Sequence, residues 1–243
     1  APDQFRDLPR QNIRLEWAYG YNAHSSRQNC FYSAKGETIY AAGSICIVHD
    51  LGQKTQRHFL AHTDLVTALK VVHTEEGQTL VASGESGVRP AIHVWDADTL
   101  TLKATMRGFH RNSILQLDFS PDQTKLATLG NDAYHSIAIY NWQTQERLYA
   151  ARSTIDPVHD IRFLADEVVA ACGRDHVNFW KELSRGGWKR YRGLFGTAVK
   201  PETLWCVNKV GGTIITGSST GMLHVWEGRN WISSIRGHSG KVN

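Results

Sequence analysis

Apolar and polar residues alternate along this chain in short runs, separated by clusters of Gly, Asp, Asn and Ser. Leu65–Val72, Thr79–Ser83, Ile114–Phe119 and Lys125–Leu129 show the two-residue period of strands with one buried face, and Ser120-Pro121-Asp122-Gln123 reads as the turn between the last two. No segment carries a 3.6-residue apolar stripe, so the pattern predicts an all-β protein with very little helix. The strands also recur as a unit. Ile92-His93-Val94-Trp95-Asp96 returns as Leu223-His224-Val225-Trp226-Glu227 and, more loosely, as Val177-Asn178-Phe179-Trp180. Cys46-Ile47-Val48-His49-Asp50 and Ile137-Ala138-Ile139-Tyr140-Asn141 are weaker copies. The aligned positions 49, 95, 140, 180 and 226 are 46, 45, 40 and 46 residues apart. That period is the length of one four-stranded propeller blade.

The repeats resemble those of WD-repeat propellers. A Gly-His pair before the first strand of a repeat appears as Gly237-His238, as Ala61-His62 and, stretched, as Gly108-Phe109-His110. The resemblance implies that a His, a Ser or Thr, an Asp and a Trp form a hydrogen-bonded chain within each blade. Such a chain helps only when every member is satisfied. Here it reads as broken. The second repeat has His62, Ser83 and Trp95, but Arg89 stands in the Asp place. The third has His110 and Thr128 with Tyr140 for Trp; the fourth has no Gly-His, and Asp175 falls one position off. The fifth has Ser218 and Trp226 with Thr220 in the Asp place. The blades are therefore expected to depend mainly on apolar packing.

A more specific resemblance lies near the N-terminus. Leu15-Glu16-Trp17-Ala18-Tyr19-Gly20-Tyr21, Asn29-Cys30-Phe31-Tyr32 and Gly36-Glu37-Thr38-Ile39-Tyr40 are similar to the hydrophobic (HELP) motif of echinoderm microtubule-associated protein-like proteins. Further similarity runs through Gln56-Arg57-His58, Leu194-Phe195-Gly196 and Ile214-Ile215-Thr216-Gly217. The family resemblance implies the first of two joined, atypical propellers, with tubulin, microtubules or microtubule-associated proteins as partners. It also implies a cytoplasmic, cytoskeletal location, on spindle or ciliary microtubules among others. Residues 1–11 read as an extension and 12–243 as the propeller. Residues 12–52 form the motif and first blade, 53–97, 98–142, 143–181 and 182–227 the next four, and 228–243 the start of another. About five blades with a dangling sixth predict a fragment of a larger tandem propeller; closure of five blades is the alternative, because an open stack leaves edges and apolar faces uncovered. The alternating aromatics Trp17, Tyr19 and Tyr21 are expected to pack as core rather than to face a ligand.

Composition adds mainly exclusions. The 243 residues are 41% hydrophobic and 21% charged, an ordinary globular balance, and the formal net charge of +4 is too small to imply nucleic acid. No apolar run approaches the ~20 residues that cross a bilayer, and the start APDQFRDLPR has no apolar signal core. Cys30, Cys46, Cys172 and Cys206 contain no Cys-x-x-Cys pair and read as free thiols. No catalytic, metal-binding, phosphate-loop or cofactor motif is found, so no enzyme, metal or cofactor is expected. One charge cluster stands out. Lys181, Arg185, Lys189, Arg190 and Arg192 are opposed only by Glu182, with Trp188 and Tyr191 interleaved. It is either a solvated hairpin shielding a sheet edge or a strip that meets an acidic protein surface. The functional expectation is a non-catalytic platform for tubulin or microtubules. The alternative is a general WD-repeat adaptor that recruits peptides or proteins without touching tubulin.

Overall fold

The computed structural model describes residues 13–22, 28–197 and 199–242, and contains no helix among them. Twenty strands form five four-stranded antiparallel units. The first unit is β1 (Cys30–Tyr32), β2 (Thr38–Ala42), β3 (Ile45–Asp50) and β4 (Thr55–Phe59). The second is β5 (Val66–His73), β6 (Thr79–Gly87), β7 (Ile92–Asp96) and β8 (Leu102–Met106). The third is β9 (Asn112–Phe119), β10 (Lys125–Gly130), β11 (Ile137–Asn141) and β12 (Glu146–Ala151). The fourth is β13 (Val158–Ala165), β14 (Val168–Gly173), β15 (His176–Glu182) and β16 (Trp188–Arg192). The fifth is β17 (Leu204–Val210), β18 (Thr213–Ser218), β19 (Met222–Glu227) and β20 (Asn230–Arg236). The repeat anchors all fall on the third strand of a unit, as the sequence period predicts. The second and third units are also bridged directly, where Ser86 and Gly87 of β6 pair with Ser113 and Asn112 of β9.

Neighbouring units pack face to face through apolar residues that alternate along each strand. Ile39, Cys46, Val48 and Phe59 of the first meet Leu69, Val81 and Trp95 of the second, with Phe59 stacked on Trp95 at 4.5 Å. Ala127, Leu129, Ile137 and Ile139 of the third meet Ile161, Val169 and Trp180 of the fourth. Val177 and Phe179 of the fourth meet Leu204, Ile214 and Trp226 of the fifth. Trp95, Trp180 and Trp226 are all buried, which is why the repeat is anchored on them.

The hydrogen-bonded chain that reads as broken in the sequence is complete in the second blade. Trp95 Nε1 donates to Ser83 Oγ at 3.0 Å, Ser83 Oγ meets His62 Nε2 at 2.7 Å, and His62 Nδ1 meets Glu85 at 3.0 Å. Glu85 supplies the acid from β6 itself, its longer side chain replacing the Asp that Arg89 displaces. Both its oxygens are in use, since it also accepts from the Thr63 and Ala91 backbone N–H groups. Only one proton order satisfies this chain: Ser83 donates to His62 Nε2, and His62 Nδ1–H donates to Glu85. In the third blade, His110 contacts Thr128 at 2.7 Å and Ser136 at 3.1 Å, and Ser136 donates to Asp132, so an inserted Ser reaches the acid. In the fifth, Trp226 Nε1 donates to Thr216 Oγ1 at 2.9 Å, and Ser218 instead meets Thr220.

The fourth blade lacks an acceptor. Trp180 Nε1 is buried with no partner, and Ala171 holds the register position of Ser83 and Thr216. Ala171→Ser is expected to accept from that indole and to stabilise the domain by about 1 kcal/mol, read as a higher urea midpoint at unchanged m-value. No gain would show that the Trp180 indole does not depend on this position.

The inner strands carry a second tie that the sequence does not announce. Asp118 on β9 meets Lys70 of β5 at 2.7 Å and Arg162 of β13 at 3.4 Å, and accepts from the Phe163 N–H at 2.8 Å. One blade on, Asp160 meets Arg162 at 3.5 Å and accepts from the Val207 N–H of β17 at 3.0 Å. Burial pushes the Asp160 carboxyl up to about 6, against the pull of Arg162.

Candidate interaction site

The basic cluster lies on the outer hairpin of the fourth blade. Gly186 and Gly187 both take positive φ, closing a turn in which Gly186 N–H donates to the Leu183 carbonyl and Leu183 N–H to the Gly187 carbonyl. This turn sets the register: Glu182 faces Trp188, Lys181 faces Lys189, Trp180 faces Arg190 and Asn178 faces Arg192. Strand alternation then divides the cluster. Trp188, Arg190 and Arg192 point toward the third blade, whereas Lys189 and Tyr191 point toward the fifth.

Trp188 is therefore not part of a contact surface. Its ring is buried near Phe163 and Tyr149, with Lys125 Nζ 5.7 Å from its centre. Arg190 donates from Nη1 to the Ser153 carbonyl at 2.6 Å and so ties the hairpin to the loop after β12. Glu182, the one acid in the cluster, is already committed: its carboxylate binds Lys125 Nζ at 2.5 Å. Lys181, Lys189 and Arg185 are left exposed, the first two directly opposite each other. Like charges in that arrangement weaken a sheet. Lys181 also borders a cavity of about 490 Å³ between the fourth and fifth blades, lined by Val168, Phe179, Tyr191 and Ile214.

A second group of cations gathers at the end of the same blade. Gly173 closes β14 so tightly that a Cβ there would lie 2.0 Å from the Pro157 carbonyl, and this contact presses the loop 153–157 against the turn at Arg174 and Asp175. Arg192 arrives from β16. The sequence reading included Arg190 and Arg192 but missed Arg174, His176 and Ser153, because they come together only through blade-to-loop packing.

The N-terminal aromatic segment runs over the first blade, on the face opposite the one that packs against the second. Trp17 lies edge-on to His49 at 5.1 Å, Tyr21 edge-on to Tyr40 at 6.0 Å, and the Ala18 N–H donates to Gln56 at 2.9 Å. Tyr21 Oη donates to Asn29 Oδ1, and buried Asn29 donates to the Asn22 carbonyl. Gly20, at φ 118°, turns the chain between the two tyrosines. The expectation of core packing needs correction here: Trp17 is half-buried, while Leu15, Tyr19 and Tyr21 are 39%, 88% and 50% exposed. The segment covers a sheet face without forming a strand, so Trp17 and Tyr21 are only partly covered and Tyr19 stays in solvent.

His62, Glu85 and His93 place one potential metal-ligand atom each within 4.8 Å of the others. Both His62 nitrogens and both Glu85 oxygens already hold hydrogen bonds, so the donor set is that of the blade's polar chain and not of a metal centre. His93 Nδ1 meets Thr105 at 3.0 Å and Nε2 has no partner; burial pushes the ring down to about 4 and keeps it neutral. Cys46 and Cys172 are buried, and burial pushes Cys46 up to about 12.

The family model of the echinoderm microtubule-associated protein first β-propeller matches residues 55–243, and that of the HELP motif matches 8–47. The chain belongs to the echinoderm microtubule-associated protein (EMAP) family. This EMAP-family chain is 30% identical to mouse echinoderm microtubule-associated protein-like 4, over 90% of its own length and 23% of the relative's. It is likewise 30% identical to human echinoderm microtubule-associated protein-like 1, over 97% of its own length and 31% of the relative's. The frog (Xenopus laevis) protein-like 4 is 27% identical. The EMAP-family chain thus spans less than a third of the length of these curated relatives.

Proposed function

We propose that this EMAP-family propeller is a non-catalytic, microtubule-associated platform that binds tubulin through the outer hairpin of its fourth blade. The observation that carries the reading is the pair Lys181 and Lys189, which no carboxylate among the described residues offsets and of which only Lys189 has a ring, Tyr191, at 5.5 Å. They face each other at a cost to the sheet, and the acid beside them is spent on Lys125. A strip maintained against its own repulsion suits an acidic protein surface, where it would speed encounter and fix orientation. Arg185 at the hairpin tip extends it. The names of the relatives point to microtubules, and the setting that follows is the cytoplasmic cytoskeleton. No helix among the described residues is long and apolar enough to cross a membrane.

Lys181→Ala with Lys189→Ala is expected to reduce co-sedimentation with microtubules, or pull-down of soluble tubulin, several-fold. The melting temperature should hold or rise as the repulsion is removed. Wild-type binding should weaken steeply between 50 and 200 mM salt. Unchanged binding by the double variant would retire the strip.

The apolar cavity beside Lys181 favours a second reading. A propeller adaptor with no tubulin contact would seat an aliphatic or aromatic side chain of a peptide among Val168, Phe179, Tyr191 and Ile214. In that case Ile214→Lys would abolish partner capture and leave tubulin co-sedimentation unchanged.

A further inference from the structure

The pocket at the end of the fourth blade has features that the tubulin reading does not use. It encloses about 200 Å³ where the loop 153–157, the turn at Arg174 and Asp175, and the ends of β15 and β16 converge. Arg174, Arg190 and Arg192 line it together with Asp156 and Asp175, so its cations exceed its carboxylates by one. Among the described residues, no carboxylate forms an ion pair with Arg174 or Arg192. Two buried polar groups in the lining have no partner. His176 is 5% exposed with Nε2 unbonded, and Ser153 is 7% exposed with Oγ unbonded. Leaving either group unsatisfied costs free energy in the empty pocket, and a ligand would recover that cost.

The chemistry of those groups narrows the ligand. His176 Nδ1–H donates to the Arg174 carbonyl at 2.7 Å, so in the neutral ring Nε2 is a bare acceptor. A suitable occupant offers acceptors to guanidinium and hydroxyl donors and brings a proton to Nε2. A carboxylate at neutral pH has no such proton. A phosphate monoester carries one in its monoanion, a minor form at pH 7 that grows to about half near pH 6, where its second ionisation lies. The pocket is smaller than the ~300 Å³ at which small-molecule sites begin, and no Phe, Tyr or Trp lines it for a base to stack on. Asp156 and Asp175 disfavour a polyanion. A single phosphate on an otherwise uncharged chain remains.

We propose that this pocket binds the phosphate of a phosphoserine- or phosphothreonine-bearing peptide, with Arg174 and Arg192 pairing its oxygens and Ser153 and His176 completing the cage. Arg190 acts as a positioning residue, holding the Ser153 loop through its carbonyl. Binding is linked to a proton on His176. Burial holds that ring below the usual histidine range; Arg192 and His135 push the same way, while the Arg174 carbonyl and Asp156 oppose them. The ligand's phosphate adds to the opposing side, so affinity rises as pH falls from 8 to 6. Ionisation of the phosphate alone would have the reverse effect, because its monoanion pairs more weakly with arginine.

The test passes a degenerate phosphoserine and phosphothreonine peptide library over the immobilised chain, beside the same library unphosphorylated and with Glu at the modified position. Selective retention of the phosphorylated library, at least tenfold above both controls and increasing toward pH 6, is the expected result. Arg192→Gln, an exposed substitution, should remove at least tenfold of the retention with no change in melting temperature. His176→Asn should flatten the pH dependence. Equal retention of the Glu library, full retention by Arg192→Gln, or capture of inorganic phosphate without the peptides would each overturn the proposal. Lys181 and Lys189 do not line the pocket, so their double variant should retain the phosphopeptides whatever happens to tubulin binding.

Discussion

Asp118→Ala is expected to destabilise the domain by about 3–5 kcal/mol, the largest loss predicted for any single change in this chain. The carboxylate is 7% exposed and joins three blades through Lys70, Arg162 and the Phe163 N–H. Removing it leaves the largely buried Lys70 cation and the Phe163 N–H without this partner and Arg162 with Asp160 alone, and an unpaired buried charge costs more than the pair contributed. Asp118→Asn separates the components. The amide oxygen still accepts from Phe163, so only the charge pairing is lost and the effect should be about half as large. Urea denaturation of the three proteins, analysed for a common m-value, measures both differences. A loss below about 1 kcal/mol for Asp118→Ala would mean that the inner-strand charges are solvated and add little.

Ser83→Ala should cost about 2–4 kcal/mol, more than a typical single hydrogen bond. Ser83 Oγ both accepts from Trp95 and donates to His62, so its removal leaves two buried groups unsatisfied. The same protein contains a comparison, since Trp180 already lacks an acceptor where Ala171 takes the register position of Ser83. Ser83→Ala would give the second blade the arrangement of the fourth. Cys46, packed in the same interface, is too weak a hydrogen-bonding group to substitute for the hydroxyl. Stability within about 0.5 kcal/mol of wild type would show that the chain contributes little beyond the apolar packing around it.

The fold was legible because strand residues repeat locally: Trp95, Trp180 and Trp226 are buried at the same position of the third strand in their blades, and a period of 40 to 46 residues preserves that position. The polar chains were only half legible. Glu85 was overlooked because an extra methylene lets an acid act from a different position than the expected Asp, and Thr216 was passed over for Ser218 because pairing register, not residue type, decides which hydroxyl meets the indole. The basic cluster was visible as composition, but its division was not. Trp188 turns inward because the two-glycine turn pairs it with Glu182, and a hairpin one residue longer would have sent it outward. Arg174, His176 and Ser153 gave no signal, being brought together by a loop packed against a turn. Asp118 and Arg162 lie 44 residues apart and meet only once adjacent blades are stacked.

The joints between blades differ in kind from the inside outward. Near the inner strands they are directional, with each carboxylate answering particular partners in neighbouring sheets. Toward the outer strands apolar contacts dominate, with single ties such as those from Arg57 and Arg190 to backbone carbonyls of the next blade. Evolutionary drift should therefore fall unevenly on this molecule. Outer hairpins and connecting loops are free to trade residues and acquire new recognition chemistry, while the innermost charges stay tied to one another and change only in concert.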